Sequence, residues 1–344
     1  MGIRKILLGA GACAVLVGAT AMAWGAASQE VLTSPIWAYS VQLGPPAPPI
    51  VEDGKIYSLP GTGKSFIRSK IRSVDPKDPG VADWYPEEHP PMPKVVSTGE
   101  EGPGTRGIRP CGLCHYPNGK GRSENASVAG QPHDYIVATL HDMKSGVRQS
   151  SEPRKINAFQ MVDYAKAMTE EEINQAADYF SSMAWTPWIK VVESLTAPKV
   201  RSAAGLYIPL EGAEAGSEPI GHRVVEVTIN GEATEVIRDP HSGFIAYVPP
   251  GAVAKGKVLV TTGGGKTTAC AMCHGGNLSG VGSIPGIAAR SPSYMARQLA
   301  DMQHGTRRGA MASLMAPVVA QLTEDDIINI TAYLASLPPG KPAV

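Results

Sequence analysis

Cys111-Gly112-Leu113-Cys114-His115 and Cys270-Ala271-Met272-Cys273-His274 both read C-x-x-C-H, the attachment signature of a c-type haem. Two cysteines three apart lie on one side of a helical turn, where both sulfurs can bond the porphyrin edge. The adjacent histidine then swings under the iron. A single pentapeptide of this kind is also compatible with a metal site or a redox C-x-x-C, and two copies in one chain favour haem at both. Cys111, Cys114, Cys270 and Cys273 are thus expected to carry two covalently bound haem c groups, with His115 and His274 on the irons. A fifth cysteine, Cys13, lies in the apolar N-terminal stretch, so no pair is left for a disulfide.

The surroundings of the two motifs repeat as well. Cys111 and Cys270 are 159 residues apart, and the same offset relates Tyr135 to Tyr294, Leu140 to Leu299, Asp142 to Asp301, Met143 to Met302, Gly146 to Gly305 and Arg148 to Arg307. This is an internal duplication. In the first copy, apolar residues at Tyr135, Val137 or Ala138, Leu140 and Met143 recur at helical spacing, which predicts a helix from about His133 to Ser145, closed by Gly146. Thr169 with Glu172 forms the capping pattern of a second helix, and Thr323 with Asp326 repeats it. The alignment sets Ala126 opposite Pro285, a position whose carbonyl could accept a hydrogen bond from the histidine's second ring nitrogen.

Several methionines could supply the sixth ligand. Met143 and Met302 match each other but continue helical stripes, so they are read as core. Met168 aligns with Leu322 and is also read as core, while Met311 has no methionine opposite it. Met161 and Met315 fall on the segment entering the last helix of each copy, Met161 in a loop, and are the expected sixth ligands. Histidine/methionine ligation favours ferrous iron through the soft sulfur and leaves no open site for oxygen or peroxide chemistry. The implied work is electron transfer.

On these residues the chain resembles the two-haem class I cytochromes of the cytochrome c4 kind. The likeness rests on both C-x-x-C-H motifs, Ala129-Gly130-Gln131, Tyr135 with Gly146-Val147-Arg148, Tyr294 with Arg297-Gln298-Leu299 and Gly305-Thr306-Arg307, and a methionine followed by Thr-Glu-Glu-Glu or Thr-Glu-Asp-Asp. The resemblance implies a mainly α fold with two class I haem domains in tandem, periplasmic electron carriage, and axial pairs at His115/Met161 and His274/Met315. One departure concerns the helix that usually leads into each C-x-x-C-H. Gly102 to Pro110 and Gly263-Gly264-Gly265 stand there instead, so that helix is expected to be short or absent.

The rest of the 344 residues completes the layout. Arg4 and Lys5 precede an uncharged run to Trp24 and small residues to Ser28, the pattern of an export signal or an uncleaved anchor over 1–27. Residues 28–104 are rich in turn-formers and are expected to wrap as an irregular, Pro-rich segment pinned by Trp37, Tyr39, Trp84 and Tyr85. The haem domains are expected at 105–187 and 263–340. Between them, 188–262 reads as a small β-rich connection, with a hairpin turning at Asn230-Gly231 and a further short strand at Lys257 to Val260.

With 31 basic and 31 acidic residues the formal net charge is zero, which argues against a nucleic-acid partner. Redox proteins are the expected partners: a dehydrogenase, an oxidase or another cytochrome, with membrane association possible through the N-terminal segment. The leading reading is a non-enzymatic, single-electron carrier of the bacterial periplasm. Two alternatives stand beside it: a cytochrome subunit of an alcohol or aldehyde dehydrogenase complex, and a di-haem peroxidase.

Overall fold

The computed structural model describes residues 35–41, 52–99 and 107–340, together with Gly2. The export signal or anchor expected at 1–27 lies outside the described residues. Among the described residues no helix is long and apolar enough to cross a membrane.

Helix α1 (Ile36–Tyr39) is a single turn whose Trp37 and Tyr39 enter the core of the second haem module. Trp37 Nε1 donates to Glu324 Oε1 at 2.7 Å, and Tyr39 Oη donates to Asp301 Oδ1 at 3.0 Å. Strands β1 (Ile56–Ser58) and β2 (Ser65–Ile67) then pair antiparallel and lead into helix α2 (Arg68–Ile71). Their turn uses Gly61 and Gly63, both at positive φ, a conformation glycine adopts without steric cost. This stretch adds a strand pair and a small core to the irregular, wrapping segment expected here. Ile71, Ala82 and Trp84 form a small core of their own. Trp84 Nε1 donates to Ile237 O at 2.9 Å and Tyr85 stacks on His241 at 3.9 Å, so both aromatics hold the connecting segment rather than a haem module.

The first haem module gathers helices α3 (Lys94–Ser97), α4 (Cys111–His115), α5 (His133–Lys144), α6 (Ile156–Ala167) and α7 (Glu170–Ser181). Val95 and Val96 of α3 are fully buried in its core beside Ile136, Ile173 and Phe180, so the module's packing starts before residue 105. Both longer helices read from the pattern are present, and Thr169 and Glu172 form the reciprocal capping box. Met161 differs from the expectation: it sits inside α6, not in a loop. No glycine or proline interrupts Ile156 to Met168, and Val162 and Ala165 bury one face of that helix.

The connection is a five-stranded mixed sheet in the order β3-β9-β8-β6-β5, built from β3 (Ile189–Glu193), β5 (Val200–Ala203), β6 (Leu206–Pro209), β8 (Val225–Thr228) and β9 (Phe244–Val248). A two-stranded ribbon of β4 (Thr196–Pro198) and β7 (Ser217–Pro219) flanks it. No hairpin turns at Asn230-Gly231. The tight turn expected there needs positive φ at both central residues, and neither takes it. Instead the Asn230 side chain accepts from Ala233 N at 2.9 Å and opens a helical turn over Ala233–Ile237. The sheet buries residues toward both modules: Ala246 and Val248 toward the second, Phe244 and Leu206 against Tyr116 of the first.

The second module contains α8 (Ala252–Thr262), α9 (Ala271–His274), α10 (Pro292–Gln303), α11 (Ala310–Ser313), α12 (Ala316–Val319) and α13 (Glu324–Ser336). Lys257 to Val260, expected as a strand, lies within α8, so a full helix does lead toward this C-x-x-C-H and a boundary at 263 cuts through packed structure. Helix α8 crosses α13 at Gly256, where an added Cβ would stand 1.8 Å from Asn329 O. The three glycines at 263–265, all at positive φ, then stop the helix and turn the chain into α9.

Two outcomes follow from this packing. Gly256→Ala forces α8 away from α13 and should lower stability by about 1–3 kcal/mol, read as a lower denaturant midpoint with an unchanged slope; an unchanged midpoint contradicts the close crossing. Burial alone would raise the Asp326 carboxyl, but hydrogen bonds from Lys266 Nζ and Thr323 outweigh it and hold the carboxyl below its ordinary range. Its stabilising effect is therefore present above the unfolded value of about 3.9 and is lost as pH falls through the lower folded value. Asp326→Asn should cost about 1 kcal/mol at neutral pH and flatten the acid limb of a stability–pH curve.

Candidate haem sites

Each C-x-x-C-H forms one turn of helix whose cysteines and histidine face a cavity of about 1570 Å³, mouth included. Cys111, Cys114 and His115 line the first cavity; Cys270, Cys273 and His274 line the second. Nδ1 of His115 lies 2.8 Å from Ala126 O, and Nδ1 of His274 lies 2.8 Å from Pro285 O. A carbonyl can only accept, so Nδ1 carries the proton and Nε2 keeps the lone pair a metal needs. Burial also holds both imidazoles below the usual histidine range, despite these carbonyls pulling the other way, which favours the neutral ring. As free thiols, Cys111 and Cys270 are pushed up by burial to about 12 and about 11. A redox C-x-x-C works through a lowered thiol. The attachment reading suits these cysteines better.

Met161 and Met315 both reach their cavity walls, Met161 from α6 and Met315 from the residue before α12. They are not alone there. Met143 and Met168 also line the first cavity, and Met295, Met302 and Met311 the second. Met143 and Met302, read as core from their stripe, therefore stand at the cavity wall.

The two cavities share a wall. Tyr135 and Thr139 of α5, Tyr294 and Gln298 of α10, and Ser127 and Gln131 line both. Across it the duplicated residues exchange partners. Arg148 Nη2 donates to Tyr294 Oη at 3.0 Å and to Gln298 Oε1 at 2.9 Å, while Arg307 Nη2 donates to Tyr135 Oη at 3.2 Å. The backbones join in the same way: Gln149 N donates to Thr306 O at 2.8 Å and Arg308 N to Val147 O at 2.9 Å, around a bridge between Arg148 and Arg307. Burial would raise the Tyr135 phenol, but the guanidiniums of Arg307 and Arg148 outweigh it and lower it.

Six arginines and lysines line these cavities: Arg109, Arg148, Lys155 and Arg297 in the first, Arg290 and Arg307 in the second. Four of them are buried, and among the described residues none forms an ion pair. Lys155 Nζ reaches only Tyr39 O at 3.1 Å, and Arg297 donates to Ala38 O and Ser123 O. A buried charge without a countercharge is costly. Glu124 and Asp301 also line the first cavity and Asp142 the second, without bonding these basic groups directly. A haem carries two carboxylates of its own, so hydrogen-bond donors that lack an ion pair fit the group that the cysteines imply. Lys155 carried no role in the sequence and Arg297 entered only as part of the resemblance; their fold neighbours reveal their place at the cavity wall, whereas Arg148, Arg307 and the two tyrosines were already marked by the shared offset.

The copies differ at the cysteine edge. Leu113 is 3% exposed, its carbonyl takes a 2.6 Å hydrogen bond from Arg238 Nη1, and Gly112 lies against Val81 and the Val96 carbonyl. Met272, its counterpart, is 76% exposed, and Cys273 is exposed too.

Two cavities of this composition define a c-type cytochrome, and known proteins agree. The cytochrome c family model matches residues 253–338. Cytochrome c-554(548) of Halomonas halodenitrificans is 33% identical over 72 residues, which cover 21% of this chain and 87% of that protein. Cytochrome c4 of Pseudomonas aeruginosa is 22% identical over 237 residues, 66% of this chain and 83% of that one. A thiosulfate dehydrogenase electron acceptor of Stutzerimonas stutzeri is 30% identical over 89 residues, 25% of this chain and 40% of that one. Among solved structures, the thiosulfate dehydrogenase (TsdBA) of Marichromatium purpuratum aligns with a TM-score of 0.43 at 23% identity, covering 67% of this chain and 37% of that chain. The chain belongs to the cytochrome c family. Within it the protein is a two-haem electron-transfer protein resembling cytochrome c4, with two covalently bound haem c groups.

The reciprocal tyrosine–arginine contacts make a measurable unit. A double-mutant cycle of Arg148→Met and Tyr294→Phe, followed by denaturant unfolding of the holoprotein, should give a coupling of about 1–2 kcal/mol. Simple additivity would mean that the contact does not hold the modules together.

Proposed function

We propose that this protein is a periplasmic carrier that takes single electrons from a donor dehydrogenase or reductase and passes them to an acceptor such as a terminal oxidase. Each haem is bound through one cysteine pair, Cys111 with Cys114 and Cys270 with Cys273. The axial pairs are His115 with Met161 and His274 with Met315. The second module runs from about residue 252 to 338, and the first includes α3. The observation that carries the reading is the shared wall: two cavities with the same donor types lie back to back, separated by one layer of side chains from α5 and α10. Such an arrangement suits passage of an electron from one haem to the other, and it needs no acid or base in either cavity. The matched donor types favour two carriers over a peroxidase, in which one iron must stay open.

Met161 and Met315 are chosen over Met143 and Met302 because the latter belong to α5 and α10, the helices of the shared wall. Met161 and Met315 stand on separate elements, before the last helix of each module. The sulfur–ferric iron charge-transfer band at long wavelength checks this. Met161→Ala and Met315→Ala should each remove about half of its intensity, as expected for an axial sulfur; a band untouched by either substitution sinks the assignment.

A second reading, service as the cytochrome subunit of a dehydrogenase complex, is favoured by the similarity to a thiosulfate dehydrogenase electron acceptor. Similarity to a protein named as the cytochrome subunit of sulfide dehydrogenase, from Chlorobaculum tepidum, points the same way. Isolation of the intact protein from its native membranes with its partners attached would separate the two: a stoichiometric dehydrogenase supports the subunit, and a protein recovered alone supports the mobile carrier.

A further inference from the structure

Gln131 and Arg290 occupy the same position in the two copies, 159 residues apart, and each reaches into the opposite module. The Gln131 amide pairs with both backbone groups of Gly286: Nε2 donates to Gly286 O at 3.0 Å, and Gly286 N donates to Oε1 at 3.0 Å. Gly286 directly follows Pro285, whose carbonyl takes the His274 ring proton. In return, Arg290 Nη1 donates to Ser127 O at 3.1 Å and to Ala129 O at 3.0 Å. Ser127 directly follows Ala126, whose carbonyl takes the His115 ring proton.

Gln131, Gly286, Arg290, Ser127 and Ala129 are buried, and among the described residues neither Ser127 O nor either backbone group of Gly286 finds a partner inside its own module. The acceptor of each histidine is thus next to a residue whose carbonyl is met only from across the interface, while the amides that follow, Val128 N and Ile287 N, bond to Gly119 O and Leu278 O of their own modules. The two residue types differ, a neutral amide on one side and a guanidinium on the other, yet both solve the same problem at the same place.

We propose that Gln131 is a positioning residue for His274 and Arg290 a positioning residue for His115, so that each module sets how strongly the other module's histidine donates to its iron. This rests on the axial role assigned to the two histidines above. The chemistry is that of an outer-shell hydrogen bond: a firm Nδ1–H to carbonyl bond makes the imidazole more basic and favours ferric iron, and a loosened one favours ferrous. The clamp acts on the carbonyl's place, not on the iron directly. Its signature is crossed: a change in one module is read at the haem of the other.

Redox titration of the holoprotein tests this. Met161→His and Met315→His first identify which potential belongs to which haem, since each replaces one soft sulfur. Gln131→Leu should then shift the ferric-to-ferrous ratio of the second haem about threefold toward ferrous at fixed potential, roughly 30 mV at 59 mV per tenfold for one electron, and leave the first haem nearly unchanged. Arg290→Lys, which keeps the charge but not the planar fork, should do the same to the first haem. Exchange of the axial histidine ring proton in the ferrous protein, followed by nitrogen-15 NMR, should quicken about tenfold in the same crossed pattern. Gln131→Asn, a smaller change, should move both readouts the same way by less. Shifts confined to the substituted module's own haem, equal shifts at both, or ring exchange unaffected by any of these changes would overturn the proposal. If the Met→His variants fail to separate the potentials, the ligand assignment is at fault, and the ring-proton exchange still decides on the clamp.

Discussion

A buried imidazole can offer a metal one nitrogen only if the other keeps its proton, and here that condition is met twice by a single hydrogen bond of 2.8 Å to a backbone carbonyl. Much of the architecture can be traced to keeping those two carbonyls where they are. The loops that carry Ala126 and Pro285 are irregular, turned at Gly121 and Gly280 and closed by matching backbone bonds from Gly121 N to His115 O and from Gly280 N to His274 O, yet the carbonyls of Ser127 and Gly286 are left to the opposite module. Their neighbours are fixed from outside. Helices α5 and α10 stand immediately after these loops, and their Tyr135 and Tyr294 take hydrogen bonds from Arg307 and Arg148 of the opposite module, so the surroundings of each histidine are tied to the docking of the two modules.

Electrostatics gives a second constraint of the same kind. The formal net charge of zero conceals an uneven local arrangement: four buried basic side chains, Arg148, Lys155, Arg290 and Arg297, line the cavities with neutral oxygens as their direct partners. The carbonyls of Ala38 and Tyr39, contributed by the single turn of α1, hold Arg297 and Lys155 at the wall of the first cavity. The N-terminal segment is thereby part of a haem site and not only a covering.

How much of this was legible in the sequence follows from distance along the chain. Features set within a few residues could be read directly: the two C-x-x-C-H turns, the capping boxes at Thr169 and Thr323, and the helix from His133. The alignment of the copies went further and placed the two carbonyls, because a duplicated site must solve the same hydrogen-bonding problem twice. What failed depended on remote partners in two cases and on a competing local bond in another. Lys257 to Val260 has the branched residues of a strand, yet Gly256 lets α8 lie against Asn329, more than seventy residues away in sequence. Asn230-Gly231 has the composition of a hairpin turn, but a side-chain cap on Ala233 N won locally. Lys155 looks like any surface lysine until the fold closes over it.

The covered Leu113 and the open Met272 give the duplication one last meaning. The two sites share residue types, offsets and hydrogen-bond logic, but the dielectric around them is not shared. At the first site, the cysteine edge is roofed by Val81, Val96 and Arg238; at the second it meets water. A ferric haem carries one more positive charge than a ferrous one, and that charge is costlier where solvent is excluded. Copying a sequence therefore did not copy its thermodynamics: the pair is chemically symmetric and energetically graded, with the grade written in by residues outside the repeat.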